Sequence, residues 1–372
     1  MSCIIVHVLI ILSDYERIHN RIVKTENWKI AAYIMSELSE FLNRPLNIGN
    51  RQISTRLVLA PMSKIGHPPF RQMVSEFGGC GLMFSEMCSA NAVANKSSHK
   101  LSGFIWQTEE LPQLVCQLYG SDPLQLTKAA EQVEAEGFFG VDLNFGCSVS
   151  ALCRKNCGAA ILKHPTLATQ IISAIRNSVS IPIFVKFRTG WEDNPKIPVE
   201  LAKRFEDAGA DALSFHPRVA PDKRTRPPKW EYIRMVKQAV SIPVFGNGNV
   251  FDIEDCAKMI ETTRCDGVML GRIAIAKPWS FAQWSAGFEP KTEIYRDCAV
   301  KLLELLISYF GEQTALRRFH KFSAYYSGNF CFGHRFFADV CKAKDIAALK
   351  DTLNHFFEHQ PEINPKIINR FS

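Results

Sequence analysis

Between Arg56 and Ala286 short runs of apolar, β-prone residues alternate with longer amphipathic segments, and no other feature constrains the fold of this chain as tightly. Runs at 57–60, 82–84, 114–118, 141–144, 183–187, 212–215, 244–245 and 268–270 read as eight strands. Helical periodicity fills 123–136, 165–178, 198–208, 229–239 and 253–261. Pro123, Pro165 and Pro198 open three of these helices, where a first-turn N–H has no partner to lose. Only the helix expected within 89–101 is poorly marked. Repeated βα units of this kind assemble around a parallel sheet.

Polar residues of chemical interest cluster at the ends of the strand runs. Pro61 and Met62 follow the first, Glu86 the second, and Gln117 closes the third. Asn144 to Cys147 close the fourth, Lys186 and Arg188 the fifth, while His216 and Arg218, Asn247 and Arg272 follow the sixth, seventh and eighth. An open sheet would scatter these groups along an edge, whereas a closed barrel brings all strand C-termini to one face. The stretch Gly246-Asn247-Gly248-Asn249 lacks the third glycine of a dinucleotide fingerprint, which disfavours the open-sheet alternative. The expectation is an α/β fold, a (β/α)8 TIM barrel over 45–288, followed by a small C-terminal α-helical domain over 289–372. Segments 295–309 and 345–357 supply its helices.

Residues 1–44 form an N-terminal extension of uncertain structure. Cys3 to Leu12 is apolar apart from His7, yet it lacks a basic flank and a cleavage site and is too short to span a bilayer. Met35, just ahead of the strand and turn patterning at 45–59, is the expected native start.

Hydrophobic residues at 47% and charged residues at 22% are globular proportions, which disfavour disordered, collagen-like and multi-span membrane classes. Twelve Cys without framework spacing imply free thiols in a reducing, cytoplasmic setting. The net charge of +7 permits a polyanionic partner. Its most distinctive part is 314–337, where Arg317, Arg318, His320, Lys321, His334 and Arg335 occur with no Asp or Glu. Phe319, Phe322, Tyr325 and Tyr326 are interleaved among them, and the loop with Lys223, Arg224 and Arg226 is a second basic candidate.

Two constellations carry chemistry. After the fourth strand, Gly146 permits a tight turn that places Cys147 at the barrel mouth. Cys153 and Cys157 follow at a C-x5-C-x3-C spacing that matches no common zinc pattern, so no metal is expected. Phe245-Gly-Asn-Gly-Asn-Val250 and Gly271-Arg272, after the seventh and eighth strands, read as a phosphate cradle. Small residues there let backbone N–H groups approach an anion, and the arginine adds charge-assisted bonds.

Together with Leu59-Ala-Pro-Met62, Phe70-Arg71, Ser85-Glu-Met87, Gln117-Leu118, Asp142-Leu-Asn-Phe-Gly-Cys147, Val185-Lys-Phe-Arg-Thr-Gly-Trp191, His216-Pro-Arg218, Gly246-Asn-Gly248, Asp266-Gly-Val-Met-Leu-Gly-Arg272 and Pro278-Trp279, these motifs resemble the tRNA-dihydrouridine synthase family over 47–357. The single pieces are moderately specific, but their order and spacing together are highly specific. The resemblance implies FMN-dependent reduction of uridine to 5,6-dihydrouridine in tRNA, with NADPH as reductant. It implies FMN contacts from Pro61, Met62, Ser63, Gln117, Lys186, His216, Asn247, Gly248, Asn249, Gly271 and Arg272. Hydride would pass from FMN N5 to uracil C6, and Cys147 corresponds to the proton donor to C5; a thiol is mostly protonated at neutral pH and has a proton to give. RNA contacts are expected from Asn144, Arg188 and Arg218 at the mouth and from Arg317, Arg318 and Lys321 in the tail. The protein is expected to act as a monomer, away from membranes.

Several positions depart from the family pattern. Ser148 replaces the Pro that usually follows the cysteine, Ser150 and Ala151 lack a Lys pair, Asn249 stands where Asp is usual, and Ser63-Lys-Ile-Gly-His67 replaces Ala-Gly-x-Thr-Asp. The alternative enzyme is an FMN-dependent oxidoreductase of a small pyrimidine or another activated alkene, as in dihydroorotate-type dehydrogenases. A substrate of that size has no use for a basic aromatic tail. An RNA-binding barrel without catalysis is disfavoured by the intact Cys147, Lys186 and His216.

Overall fold

The computed structural model describes residues 36–95, 103–220, 222, 226–364 and 366–367. Met35, Lys223, Arg224 and the later part of the 89–101 segment therefore lie outside the described residues.

A short helix over 36–42 (α1) leads into a hairpin of β1 (Leu46–Ile48) and β2 (Arg51–Ile53). The first barrel strand, β3 (Leu57–Leu59), is followed by α2 (Pro68–Phe77), and the second, β4 (Leu82–Phe84), by the short β5 (Cys88–Ser89) and α3 (Ala90–Ala94). β6 (Leu114–Tyr119) and α4 (Pro123–Ala135) come next, then β7 (Gly140–Phe145), the short α5 (Ser150–Cys153) and α6 (Pro165–Arg176). The remaining units are β8 (Ile183–Gly190) with α7 (Lys196–Asp207), β9 (Ala212–Val219) with α8 (Trp230–Ala239), and β10 (Val244–Asn247) with α9 (Ile253–Thr263). The last is β11 (Gly267–Leu270), followed by α10 (Arg272–Ala276) and α11 (Ser280–Ala286). All pairings among the eight principal strands are parallel, and the circle closes where β11 pairs with β3 and β4 with β6. This is the expected TIM barrel.

Strand alternation sorts the side chains. Leu114, Cys116, Leu118, Val141, Leu143, Val185, Phe187, Leu213 and Phe215 belong to the apolar layer shared with the surrounding helices. Val58, Phe84, Val115, Phe184, Ala212, Phe245 and Met269 pack into a separate cluster that fills the lower lumen, closed from below by Ile48 and Ile53 of the hairpin. Phe184 sits edge-on to Phe84, with ring centroids 5.4 Å apart. The strands extend further than the sequence patterning implies, so Arg188, His216, Arg218 and Asn247 lie within strands rather than after them.

Beyond the barrel come α12 (Ile294–Phe310), α13 (Glu312–Tyr326), α14 (Gly333–Lys342) and α15 (Ile346–Glu358). Tyr326 Oη donates to Tyr295 O at 2.6 Å, and Asn329 Nδ2 donates to Ala276 O at 2.6 Å, tying this layer internally and to the barrel. Phe319, Phe322 and Tyr326 are buried in that packing, so of the interleaved aromatics only Tyr325 is left partly exposed. At the other end of the chain, α1 buries Leu38 and Leu42 in the same core, and Asn43 Nδ2 donates to Ser285 O at 2.6 Å.

Phe184→Ala opens a cavity in the lower lumen that the surrounding strands have little freedom to fill. The expected loss is about 3–5 kcal/mol, read as a lowered denaturation midpoint with an unchanged denaturant slope.

Candidate active site

The polar half of the lumen begins two residues beyond its apolar half on the same strand faces: Val115 gives way to Gln117, Phe184 to Lys186 and Arg188, and Phe245 to Asn247. Above them lies a cleft of about 560 Å3, within the roughly 300–1,000 Å3 of small-ligand sites. It is lined by Pro61, Met62 and Ser63, by Cys147, Lys186, Arg188, His216 and Arg218, and by Asn247, Gly248, Asn249, Gly271 and Arg272. Lys321 and Tyr325 of α13 complete one wall, so barrel and tail share a single cleft.

The segment expected to form the phosphate cradle curls over His216. Gly248 has φ +121°, and a Cβ there would lie 2.8 Å from His216 Cδ2. Asn249 adopts a left-handed φ of 53°, with its Oδ1 accepting from Arg272 Nη2 at 2.7 Å and Arg218 Nη2 at 3.1 Å. Asn249 thus aligns two guanidinium groups without adding the negative charge that Asp would bring. Lys186 Nζ donates to Asn247 Oδ1 at 3.2 Å, and Asn247 Nδ2 donates to Met269 O at 2.8 Å.

Cys147 is held by its backbone. Its N–H donates to Asn144 Oδ1 at 2.9 Å and its carbonyl accepts from Ala159 N at 2.8 Å. Gly158, at φ +64°, is the residue whose Cβ would collide with that carbonyl. Asn144 and Gln117 are buried at the foot of the site, joined by a bond of 2.9 Å from Asn144 Nδ2 to Gln117 Oε1, and neither lines the cleft.

Of the expected tail contacts, Lys321 lines the cleft and Arg317 is exposed on α13. Arg318 faces Glu86, 3.8 Å away, and stacks over Phe310 at 4.3 Å, an engagement within the protein that sequence patterning did not anticipate. The same patterning left out Lys64, Phe251 and Ile275, which also line the cleft. Ile275 lies three residues after Arg272 on α10, so helical spacing was the available signal.

Electrostatics follow from burial. Desolvation, reinforced by Lys186, Arg188, Arg218 and Arg272, holds the His216 imidazole well below its ordinary pKa, and His216 Nε2 has no hydrogen-bond partner among the described residues. Desolvation likewise lowers Lys186, against the opposing pull of Asp142. Burial raises Asp142 in turn, opposed by the Gln117 hydrogen bond and by Lys186. Among the described residues no helix is long and apolar enough to cross a membrane, and no group of three or more His, Cys, Asp or Glu side chains is placed to hold a metal.

The dihydrouridine synthase family model matches residues 58–360, from the first barrel strand into the tail. The chain belongs to the dihydrouridine synthase family. A probable tRNA-dihydrouridine synthase of Rickettsia bellii is 32% identical over 319 residues, covering 84% of this chain and 98% of the relative. The tRNA-dihydrouridine synthase B of Pseudomonas aeruginosa is 32% identical over 320 residues, covering 84% of this chain and 96% of its own. Among solved structures, the old yellow enzyme of Trypanosoma cruzi is similar with a TM-score of 0.51 at 12% identity, covering 68% of this chain and 93% of that one. That likeness is one of fold.

The lowered pKa of His216 has a stability consequence. The unfolded imidazole takes up a proton near pH 6.5 and the folded one does so only at lower pH, so its contribution is present above pH 6.5 and is lost as pH falls. The slope is up to about 1.4 kcal/mol per pH unit. His216→Asn flattens that part of the curve of denaturation midpoint against pH below about 6.5.

Proposed function

We propose that this dihydrouridine synthase reduces uridine to 5,6-dihydrouridine in tRNA, using FMN and, as the electron source, NADPH. The observation that carries the reading is the convergence of Cys147, Lys186, His216 and the Gly248 cradle on one cleft, which the tail wall of Lys321 and Tyr325 also lines.

The residues present fit a flavin phosphate and ring. Gly248 lets the backbone close on the His216 ring, where a Cβ would lie 2.8 Å from Cδ2, Arg272 lines the same cleft, and the unpartnered His216 Nε2 supplies a buried polar atom for a ligand. Pro61, Met62, Ser63, Lys186, His216, Asn247, Gly248, Asn249, Gly271 and Arg272 would hold the cofactor from the cleft, with Gln117 beneath. When bound, FMN supplies the hydride that adds to C6 of the uracil ring. Cys147 gives its thiol proton to C5 on the neighbouring carbon. Lys186 provides a cation deep in the site to balance charge that accumulates on a reduced ring.

Tyr325 and Lys321 favour an RNA substrate over a free pyrimidine, because they extend the cleft outward into a basic aromatic wall. The target base must leave its stack to reach the lumen, and Arg188, Arg218, Arg317 and Lys321 would hold the backbone around it, with Asn144 near the base. In this reading 45–288 carries the reaction and 289–372 holds the RNA, in a cytoplasmic monomer.

Cys147→Ala retains flavin and its reduction by NADPH but loses dihydrouridine formation by about 10²–10⁴-fold, measured by mass spectrometry of tRNA nucleosides. A variant that modified tRNA at the normal rate would remove Cys147 from the proton-donor role. Lys321→Ala leaves flavin binding intact and lowers the slope of log affinity for tRNA against log salt by about one.

A further inference from the structure

Hydrogen bonds leading away from Cys147 run in one direction and end on a carboxyl to which the proposed reaction gives no part. The N–H groups of Cys147 and Gly146 both donate to Asn144 Oδ1, at 2.9 and 3.2 Å. Asn144 then has only its NH2 end to offer, and Nδ2 donates to Gln117 Oε1 at 2.9 Å. Gln117, with its oxygen engaged, donates from Nε2 to Asp142 Oδ2 at 2.6 Å. Each amide has one accepting and one donating end, so the order is forced: two backbone donors require an acceptor at Asn144, which requires an acceptor at Gln117, which requires an acceptor at Asp142.

Asp142, at the foot of this chain, also opposes the lowering of the Lys186 pKa, a charge role that an asparagine cannot fill. Asp142 is fully buried beside Gln117 in the β6–β7 register, and its Oδ1 has no hydrogen-bond partner among the described residues. Burial raises its pKa to about 7, opposed by the Gln117 hydrogen bond and by Lys186. In either protonation state one oxygen remains an acceptor. An apolar side chain there would leave the Gln117 NH2 group buried without an acceptor, so that Gln117 either keeps an unpaired donor or flips and sets its NH2 against that of Asn144. Flipped amides would turn an NH2 group against the N–H of Cys147, and a donor facing a donor in a buried site is costly.

We propose that Asp142 is a positioning residue which, through Gln117 and Asn144, selects the amide orientations that hold the Cys147 loop and so places the thiol. The inference rests on Cys147 as proton donor, and it concerns geometry rather than proton transfer by Asp142 itself.

The test uses the full chain with FMN bound and compares Asp142→Leu, which removes the acceptor, with Asp142→Asn, which keeps an oxygen for Gln117. Two quantities are read: the rate at which iodoacetamide alkylates Cys147, located by peptide mass spectrometry and referred to the exposed Cys341, and the kcat and KM for tRNA. Asp142→Leu is expected to change the alkylation rate and lower kcat about ten- to a hundredfold with KM for tRNA unchanged. Asp142→Asn recovers most of both. If Asp142→Leu does not fold, Gln117→Met cuts the relay one step higher at similar volume and carries the same expectation for alkylation. Wild-type behaviour of the relay-cutting variant, or equal impairment of Asp142→Asn and Asp142→Leu, overturns the proposal. A wild-type protein that makes no dihydrouridine would defeat the functional reading instead, and the alkylation arm would still judge Asp142.

Discussion

Closure of the parallel sheet makes strand parity the constraint on which everything else depends. Once β4 pairs with β6 and β11 with β3, every second residue of a strand enters a lumen with no other exit than its two ends. The hairpin residues Ile48 and Ile53 seal the lower end, and Phe84, Phe184 and Phe245 fill the space above them. Water is thereby kept from the underside of the site. The polar residues one or two lumen positions higher stand on an apolar floor, which is why desolvation dominates the shifts of Asp142, Lys186 and His216.

Charge in the cleft is strongly one-sided. Lys186, Arg188, Arg218 and Arg272 all act on His216, and the acid set among them, Asp142, is buried below with its own pKa raised. Positive charge gathered in one cleft raises the local concentration of anionic ligands. Asn249 accepts from both Arg218 and Arg272 while remaining neutral, so it aligns two guanidinium groups without cancelling any of their charge.

Helix α13 serves two purposes because its faces differ. Ala315, Phe319, Phe322 and Tyr326 anchor it in the core, while Lys321 and Tyr325 look into the cleft. Arg318 sits between these faces, held by Glu86 and Phe310, and joins the tail to the barrel near the cleft wall. An acid-free basic stretch alone cannot reveal this division, since whether a given arginine meets solvent, a carboxylate or a ring depends on what packs opposite it.

Much was legible in the sequence because its signals are local. Short apolar β-prone runs, prolines in first turns and the positive φ of Gly248 follow from backbone geometry, which neighbouring residues impose. The barrel class and the placement of Cys147 on the loop after the fourth strand were therefore legible in the sequence. What only the tertiary structure decided is which groups are shut away from water and which atoms face one another. The relay from Asp142 through Gln117 to Asn144 joins residues on different strands, and its order of donors and acceptors exists only once those strands lie in register. Hydrogen bonds and desolvation act over a few ångströms of space, whereas sequence records distance along the chain.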